Sequence, residues 1–307
     1  MSGQVSVIVI GFNHREFIDQ LVESMRINAH EIGHVWFIDT GSRDGTLDAF
    51  CLAAATLPPE IRISTVAYPL GTLPTWALNV ALDTIETPFT ACISADDFFL
   101  PRRFDAQLAV MRDETSVQFL LANGVVVDER GAPSGPRVHA PVNVALLSSP
   151  PEEILHDIRR RVPRIFVQTA LYRTEFLRQI GGWDSALLND DWVLNLKAFG
   201  AVGPDGYRFV DEDVVAYRRH GTNASKSVFR QYMGQKQVIE KWLPNDCRAR
   251  MLGRLFWSLG DYWLKHRQPK RARVFYGRAR REGIGLWEGV GISFRRLAGM
   301  FGKSAIN

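Results

Sequence analysis

Residues 5–13 read Val-Ser-Val-Ile-Val-Ile-Gly-Phe-Asn, and this stretch decides the fold class. The run from Val5 to Ile10 is rich in β-branched residues, which is typical of a strand buried on both faces of a parallel sheet. Asn13 and Glu16 have the spacing of a helix capping box, and apolar residues then repeat every fourth position, namely Phe17, Leu21 and Met25. The chain is therefore predicted to begin with a strand followed by a helix.

The strand and helix pattern recurs along the chain. Further strands are predicted at residues 35–38, 61–67, 89–94, 117–127, 164–172 and 213–218, and helices at 46–55, 74–85, from 101, before Gly181 and at 190–199. Beyond about residue 223 the pattern is helical, interrupted by Pro244 and Pro269. This alternation predicts an α/β fold with a parallel, doubly wound sheet that binds ligands at the carboxyl ends of its strands.

The composition is that of an ordinary globular protein. The chain has 307 residues, of which 46% are hydrophobic and 23% charged, and it shows no repeat of 20 to 50 residues. Its three cysteines are scattered without metal-type spacing, which favours a reduced, cytoplasmic setting over a disulfide framework or a zinc site. No signal peptide or transmembrane helix is expected, since the first apolar run is far shorter than the roughly 18 residues that span a bilayer.

The charge is distributed unevenly. Residues 248–307 contain 14 Lys and Arg against 3 Asp and Glu, a balance of +11, which leaves −7 for residues 1–247. Aromatic residues are interleaved with these charges. Such a segment suits an anionic membrane surface, but a helical hairpin packed on the rest of the chain with a solvated basic face is an equally good interpretation. Nucleic-acid binding is a third interpretation of this segment, but no recognised motif in the sequence supports it.

Acidic residues follow two of the predicted strands. Asp96 and Asp97 follow the strand 89–94, where hard oxygen ligands suit Mg²⁺ or Mn²⁺ bridging to phosphates, although a turn or a helix N-cap is the simpler reading of such a pair alone. Asp39 ends the strand 35–38 before a Gly41 to Gly45 turn. Its carboxylate could accept hydrogen bonds from a base or a ribose, or could merely form an Asx turn.

Two further residues are candidates in the second half. Asp191 lies in the first turn of a predicted helix, where an acidic residue normally interacts with the helix dipole but could serve as a base. His220 ends the strand 213–218, and its imidazole could complete a metal or diphosphate site, although a surface histidine is the simpler reading. Each of these signals is weak when taken alone.

Their order along the chain resembles the family 2 glycosyltransferases, an inverting family of the GT-A fold, from about residue 5 to residue 225. The resemblance rests on six segments: 5–13; Phe37-Ile-Asp-Thr-Gly-Ser-Arg-Asp-Gly-Thr46; Ala77-Leu78-Asn79; Ile93-Ser-Ala-Asp-Asp-Phe-Phe-Leu-Pro101; Gly181-Gly-Trp-Asp184 with Asn189-Asp-Asp-Trp192; and Tyr217-Arg-Arg-His220.

The resemblance implies an α/β, Rossmann-like GT-A fold with a nucleotide-sugar-binding half (1–100), an acceptor-binding half (101–225) and a basic, aromatic-rich helical extension (226–307). It also implies the following roles: Asp39 contacts the base, with Phe12 packed near it; Asn79 belongs to the donor site; Asp96 ligands the metal, supported by Asp97; Asp191 is the catalytic base; and His220 reaches the metal or the diphosphate. Ser94 replaces the first carboxylate of the metal motif, Leu78 replaces a usual Arg, and Asp190 replaces a Glu.

The predicted activity is inverting transfer of a sugar from a nucleoside diphosphate sugar to a hydroxyl of a glycan or lipid-linked glycan, with Mn²⁺ or Mg²⁺ as cofactor. The setting implied is bacterial surface polysaccharide synthesis, in the cytoplasm or peripherally on the inner face of the plasma membrane. A nucleotidyltransferase is an alternative, but no Gly-rich triphosphate loop follows the first strand. A non-catalytic sugar-nucleotide-binding module is another, which Ser94 and Leu78 would allow.

Overall fold

A computed structural model describes residues 3–187, 191–221 and 228–301, the last eight of these by their backbone alone. Its strands are β1 (Val5–Gly11), β2 (Ile32–Asp39), β3 (Arg62–Ala67), β4 (Phe89–Ser94), β5 (Phe98–Phe99), β6 (Phe119–Val127), β7 (Leu171–Arg173) and β8 (Tyr207–Arg218). Its helices are α1 (Ile18–Ile27), α2 (Thr46–Ala54), α3 (Pro74–Asp83), α4 (Asp105–Asp113), α5 (Pro141–Leu147), α6 (Pro151–Ile158), α7 (Thr174–Gln179), α8 (Asp191–Ala201), α9 (Val228–Trp242), α10 (Asn245–Lys265), α11 (Pro269–Arg281) and α12 (Leu286–Phe301).

The described strands form one mixed sheet in the order β3-β2-β1-β4-β7-β6-β8-β5. The first four strands of the chain run parallel, as predicted, and β8 runs parallel to β6. β7 is antiparallel to both β4 and β6, and β5 is antiparallel to β8. The parallel sheet predicted from the alternation of strands and helices is therefore present in the first half. In the second half the sheet is mixed, because the antiparallel β7 is inserted between β4 and β6, which point the same way.

β1 lies inside the parallel half, between β2 and β4. Its residues Val5, Val7 and Val9 are fully buried and pack in the main core, to which α1, α2 and α4 also contribute buried side chains. The rings of Phe37 on β2 and Phe50 on α2 stack with centroids 4.0 Å apart. Burial of the strand on both faces explains its continuous apolar sequence.

Two local predictions are wrong, for identifiable reasons. Asn13 forms no capping box: its backbone has φ 55° and its Oδ1 accepts a hydrogen bond from the Arg43 N–H, so that α1 begins only at Ile18 after a 3-10 turn. Residues 164–170 form no strand, and side chains from the turn before α4 and from α4 itself donate hydrogen bonds to carbonyl groups near the end of this segment. Arg103 donates to the carbonyl of Ala170 and Gln107 to that of Thr169, leaving only 171–173 to pair in the sheet.

Helices α9 to α12 and residues 159–162 form a second compact unit, separate from the unit that contains the sheet. Pro244 precedes α10 and Pro269 is the first residue of α11, so both prolines interrupt the helical run as predicted. Within this unit Asp261 accepts hydrogen bonds from the hydroxyl groups of Tyr276 and Ser293, at 2.7 and 3.0 Å. No helix of the described ranges is long and apolar enough to cross a bilayer.

Candidate functional site

The carboxyl ends of β1 and β4 lie side by side. Ile10 is paired with Ser94, and the Ala95 N–H donates to the carbonyl of Ile10 at 2.8 Å. Because parallel strands end at the same edge of a sheet, this pairing places the 3-10 turn after β1 next to the Asp96-Asp97 turn after β4. The two turns meet although they are more than 80 residues apart in the sequence.

Three side chains meet at this edge. The Nε2 atom of His220 lies 2.9 Å from Oδ2 of Asp96, and Nε2 of His14 lies 3.8 Å from the same oxygen. One potential ligand atom from each residue lies within 4.8 Å of those of the other two. His220 and Asp96 are buried, and the side chain of His14 is 15% exposed. The structure thus brings together Asp96 and His220, both candidates from the sequence, and places His14 beside them.

The other carboxylate oxygen of Asp96 is also held. Ser94 Oγ donates a hydrogen bond to Oδ1, which leaves Oδ2 facing the two imidazoles. Burial alone would raise the pKa of Asp96, but electrostatic attraction to His14 and the hydrogen bonds from His220 and Ser94 outweigh burial and lower it. Burial lowers the pKa of His14 despite the opposing effect of Asp96. An anionic carboxylate between imidazoles is thereby favoured.

Asp97 has a different environment from its neighbour. It is fully buried, and its Oδ1 accepts a hydrogen bond from the Arg218 backbone N–H at 2.7 Å. Burial and the charge of Asp96 raise the pKa of Asp97 well above its usual range, against the hydrogen bonds from Arg218 and Gln168. Asp97 therefore links the turn after β4 to the end of β8, the strand that precedes His220.

Arg218 strengthens the same link through its side chain. Its guanidinium donates to the backbone carbonyls of Asp96 and Glu129 and to the side chain of Gln20, at 2.6 to 2.8 Å. It also lies over the rings of Phe17 and Phe98, at 4.7 and 5.3 Å from their centroids. These contacts tie the turn that carries Asp96 to the end of β8, two residues before His220, and so help to set the distance between the two side chains.

Asp39 ends β2 on the other side of β1, where it is paired with Gly11. Its Oδ1 accepts hydrogen bonds from the Gly41 and Ser42 N–H groups at 2.8 and 2.7 Å, which is the predicted Asx-turn geometry. Gly41 has φ 99°, and a Cβ there would approach within 2.6 Å of the Leu70 backbone, so the turn requires glycine. The Oδ2 atom of Asp39 is buried and has no hydrogen-bond partner among the described residues. One carboxylate oxygen thus builds the turn, and the other makes no contribution to it.

Aromatic side chains are exposed around Asp39. Phe12 follows β1 and is 39% exposed, and Trp76, which is 44% exposed, packs edge-on against Tyr68 with ring centroids 5.1 Å apart. Tyr68 is tied to the same turn, because its N–H donates to the Asp39 carbonyl at 2.8 Å. Flat apolar surface beside an unpaired carboxylate oxygen is suited to a planar ligand with a polar edge.

Asn79 is positioned differently from what the donor-site assignment implies. Its Oδ1 accepts from the Trp183 N–H at 2.9 Å and its Nδ2 donates to the Trp183 carbonyl at 2.8 Å. The carboxamide therefore holds the Gly181-Gly182 turn against α3. Thr75, one helical turn earlier, adds a second tie by donating to the Leu187 carbonyl at 2.9 Å. These bonds assign Asn79 to positioning the loop that leads to α8, and donor contact stays a prediction.

Asp191 is the first residue of α8 and is exposed to solvent. Desolvation by the surrounding protein raises the pKa of its carboxyl to about 6. Burial and the charge of Asp191 both raise the pKa of Cys92 on β4, so the start of α8 lies near the strand that leads to Asp96. Asp190 lies outside the described residues.

His14 and Arg218 also belong to this site, although neither is among the residues predicted from the sequence. His14 could have been found because it follows the Asn13 position of the first-strand motif, at the end of a strand next to β4. Arg218 lies within the quoted 217–220 segment, but nothing in that segment indicates that its guanidinium is buried under the Asp96 backbone.

The three potential ligand atoms of this cluster fit a divalent metal ion. One carboxylate oxygen and two imidazole nitrogens are the ligands that divalent transition metals take in proteins. The Nδ1 atom of His14 is buried without a hydrogen-bond partner in the described ranges, so no hydrogen bond of its own ring fixes that side chain. His14, Asp96 and His220 are therefore the residues that would hold an ion.

Comparison with solved structures identifies the fold. S. aureus TarS 1-349 in complex with UDP-GlcNAc has a TM-score of 0.54 and 15% identity, with 92% of each chain covered. Mannosyltransferase PcManGT from Pyrobaculum calidifontis, in complex with GDP-Man and Mn²⁺, has a TM-score of 0.54 and 16% identity, with 98% of this chain and 81% of that chain covered. The chain spans 44% of the longer TarS chain. These similarities confirm the GT-A fold.

A third neighbour is glucosyl-3-phosphoglycerate synthase from Mycobacterium tuberculosis with Mn²⁺, UDP-Glc and phosphoglyceric acid. It has a TM-score of 0.50 and 15% identity, with 79% of this chain and 81% of that chain covered. The search of curated proteins gave no significant match.

The profile described as glycosyl transferase family 2 matches residues 6–181, which is more than half of the chain. The matched range contains His14, Asp39, Asp96 and Asp97, whereas Asp191 and His220 follow it. With a GT-A fold and a matching profile over residues 6–181, the chain belongs to glycosyl transferase family 2 and is a glycosyltransferase.

Proposed function

We propose that this protein transfers a sugar from a nucleoside diphosphate sugar to a hydroxyl group of an acceptor, with inversion at the anomeric carbon. The observation that carries the proposal is the convergence of His14, Asp96 and His220 at the edge of the sheet where Asp39 leaves a buried oxygen unpaired. A cation site beside a hydrogen-bond acceptor and exposed aromatic surface matches the two ends of a nucleoside diphosphate.

Asp39 would bind the nucleoside. Its Oδ2 accepts a hydrogen bond from an N–H of the base or from a ribose hydroxyl, while Oδ1 stays fixed by Gly41 and Ser42. Phe12 packs beside the base. A buried acceptor without a donor costs free energy, about 1–3 kcal/mol for such a group, and ligand binding would relieve that cost. The neighbours crystallised with UDP-GlcNAc, GDP-Man and UDP-Glc support this class of donor.

Asp96, His220 and His14 would hold the divalent ion, and the Mn²⁺ in two neighbours supports Mn²⁺, with Mg²⁺ as the alternative. When bound, such an ion stabilises the negative charge that develops on the leaving diphosphate. Ser94 fixes the Asp96 carboxylate by donating to Oδ1. Asp97 and Arg218 supply the rigid backbone beneath it.

Asp191 would act as the general base. A carboxyl group with a pKa of about 6 is mostly ionised at neutral pH, and it is more basic than an ordinary aspartate. It would take the proton of the acceptor hydroxyl as that oxygen attacks the anomeric carbon from the face opposite the diphosphate, which inverts the configuration in one displacement. The reaction then needs one base and no enzyme nucleophile.

The decisive experiment measures donor binding and donor cleavage together. A thermal-shift screen of nucleoside diphosphates with and without Mn²⁺ should identify the nucleotide, since a ligand of the native state raises its stability with increasing concentration. Sugar nucleotides of that base should then be hydrolysed slowly with release of nucleoside diphosphate. Release of pyrophosphate would instead identify a nucleotidyltransferase, and binding without any release would identify a non-catalytic module.

For the acceptor we propose a glycan or lipid-linked glycan of bacterial surface polysaccharide synthesis, met at the inner face of the plasma membrane. The second unit supports this setting. In α11 the small or partly buried side chains Ala272, Phe275, Tyr276 and Ala279 share one face, while the cations are exposed, namely Lys270, Arg271, Arg273, Arg278, Arg280 and Arg281. Trp287, at the start of α12, is 86% exposed. Exposed cations with an exposed Trp suit anionic lipid headgroups.

Charge neutralisation in the full-length protein tests the membrane proposal. Replacing Lys270, Arg273 and Arg280 with Gln removes three exposed charges, each worth about 1 kcal/mol near an anionic surface, so partitioning onto phosphatidylserine vesicles should fall by about 100-fold at low salt. A control variant replaces three exposed arginines of the first unit, Arg62, Arg102 and Arg130, and should sediment like the wild type. Equal sedimentation of both variants would reject the proposal.

A further inference from the structure

We propose that His14 is a third protein ligand of the metal site, and that the resulting two-histidine, one-carboxylate set selects transition-metal ions over Mg²⁺ and binds them before any nucleotide arrives. This inference rests on the metal site of the proposed function. It goes beyond that function in stating which class of ion the site selects and that the ion binds before the nucleotide.

The geometry supports a shared ion. Adjacent ligands of an octahedral ion with bonds of about 2.1 Å lie about 3 Å apart. The separation of His220 Nε2 from Asp96 Oδ2 is already 2.9 Å, and that of His14 Nε2 is 3.8 Å. A shift of less than about 1 Å by the His14 ring would bring it to the same separation. The two rings are nearly perpendicular, with centroids 6.0 Å apart, so they do not block each other.

The backbone positions His14 independently of its ring. The His14 N–H donates to Thr46 Oγ1 at 2.8 Å, and the His14 carbonyl accepts from the Phe17 N–H at 3.0 Å. Thr46 is held in turn by Asp44, which accepts hydrogen bonds from its N–H and its hydroxyl. The ring directs Nε2 toward Asp96, and its buried Nδ1 has no hydrogen-bond partner among the residues that the structure describes. A side chain held near a carboxylate without a hydrogen bond of its own is free to bind a metal ion.

Ser94 influences which ligand atoms are available to the metal ion. Its hydroxyl donates to Oδ1 of Asp96, so no second carboxylate enters the cluster at that position. Oδ1 of Asp97 is occupied by the Arg218 N–H and does not belong to the cluster. Within the part of the chain that the structure describes, the cluster thus offers one oxygen and two imidazole nitrogens. Mg²⁺ prefers oxygen ligands and gives up its water reluctantly, whereas imidazole affinity rises from Mn²⁺ through Co²⁺ toward Zn²⁺.

The test titrates metal-free, full-length protein with Co²⁺ in the absence of nucleotide and follows the visible absorption of the bound ion. We expect saturable binding that a hundredfold excess of Mg²⁺ does not reverse and that Zn²⁺ does. His14→Ala should weaken Co²⁺ binding by at least about 100-fold, since even the outer partners of metal ligands are worth about 10- to 100-fold. His30→Ala, at an exposed histidine that interacts with Asp105, is the matched control and should bind like the wild type.

Unfolding midpoints of the metal-free variants show whether His14→Ala still folds. If that variant does not fold, His14→Gln takes its place in the titration, because glutamine keeps a polar side chain of similar reach. Wild-type Co²⁺ affinity in a folded His14 variant would overturn the assignment of His14. Displacement of Co²⁺ by equimolar Mg²⁺ would overturn the selectivity. Release of nucleoside diphosphate from donor is measured separately, so failure of this inference leaves the proposed function intact, and failure of that function does not alter the metal titration.

Discussion

The strongest quantitative prediction concerns Asp191 and the pH dependence of turnover. A base must be ionised to act, so the rate should follow the ionised fraction of its carboxyl group. With a pKa of about 6, that fraction is about 91% at pH 7 and about 9% at pH 5, so turnover should fall about tenfold between these values. An aspartate with the ordinary pKa of 3.8 would stay about 94% ionised at pH 5, and turnover would hardly change.

The assay is the release of nucleoside diphosphate at saturating donor and metal, measured from pH 5 to pH 8. Asp191→Asn keeps the size of the side chain and removes the base, so it should lower turnover by about 10²- to 10⁴-fold with little change in donor affinity, and its residual rate should lack the acidic limb. Asp205→Asn, at an exposed aspartate after α8, is the control and should keep the wild-type profile. A flat wild-type profile between pH 5 and pH 7, or a nearly active Asp191→Asn, would refute the assignment.

Three further predictions concern two residues that hold the backbone around the site, and the residue proposed to bind the nucleoside. Gly182→Ala should lower the free energy of unfolding by more than about 1–2 kcal/mol, because Gly182 has φ 49° and a Cβ there would collide with a side chain of α3. Gly203→Ala is the control, since a Cβ at Gly203 meets open space, and chemical unfolding should show almost no change. Arg218→Lys should lower the free energy of unfolding by about 2–4 kcal/mol, since the three hydrogen bonds of the guanidinium group are lost. The control Arg219→Lys, at the exposed neighbour, should leave it almost unchanged, and equal unfolding midpoints for the two variants would contradict this prediction. Asp39→Asn should keep its turn but weaken nucleoside diphosphate binding by about 10- to 100-fold by calorimetry, and an unchanged affinity would exclude Asp39 from the nucleoside site.

The sequence predicted the first half of the fold well because each element there has a local signature. β1 and β4 are continuous β-branched or apolar runs, and α2 and α3 begin within the predicted segments at Thr46 and Pro74. Strands of this kind must be buried on both faces, so strand and helix alternation leaves few topologies other than a parallel sheet. The prediction that Asp96 lies at a strand end follows from the same local pattern.

The second half was predicted less well because its elements depend on distant partners. Nothing local in residues 164–170 reveals that Arg103 and Gln107 will donate hydrogen bonds to carbonyl groups near the end of this segment. The antiparallel insertion of β7 is likewise a consequence of pairing, since it makes only two residue pairs with each neighbour.

The residues of the candidate site were likewise predictable in part from the sequence and in part only from the structure. The sequence by itself determined which carboxylates follow strands, and the order of its motifs indicated Asp39, Asp96, Asp191 and His220. Only the tertiary structure decided that His14 joins Asp96 and His220 and that Asn79 binds the Trp183 backbone. It also decided that Oδ2 of Asp39 has no hydrogen-bond partner in the described part of the chain. The physical reason is that local sequence fixes the period and ends of an element, whereas contacts between residues as far apart as His220 and Asp96 depend on how the strands pair and pack.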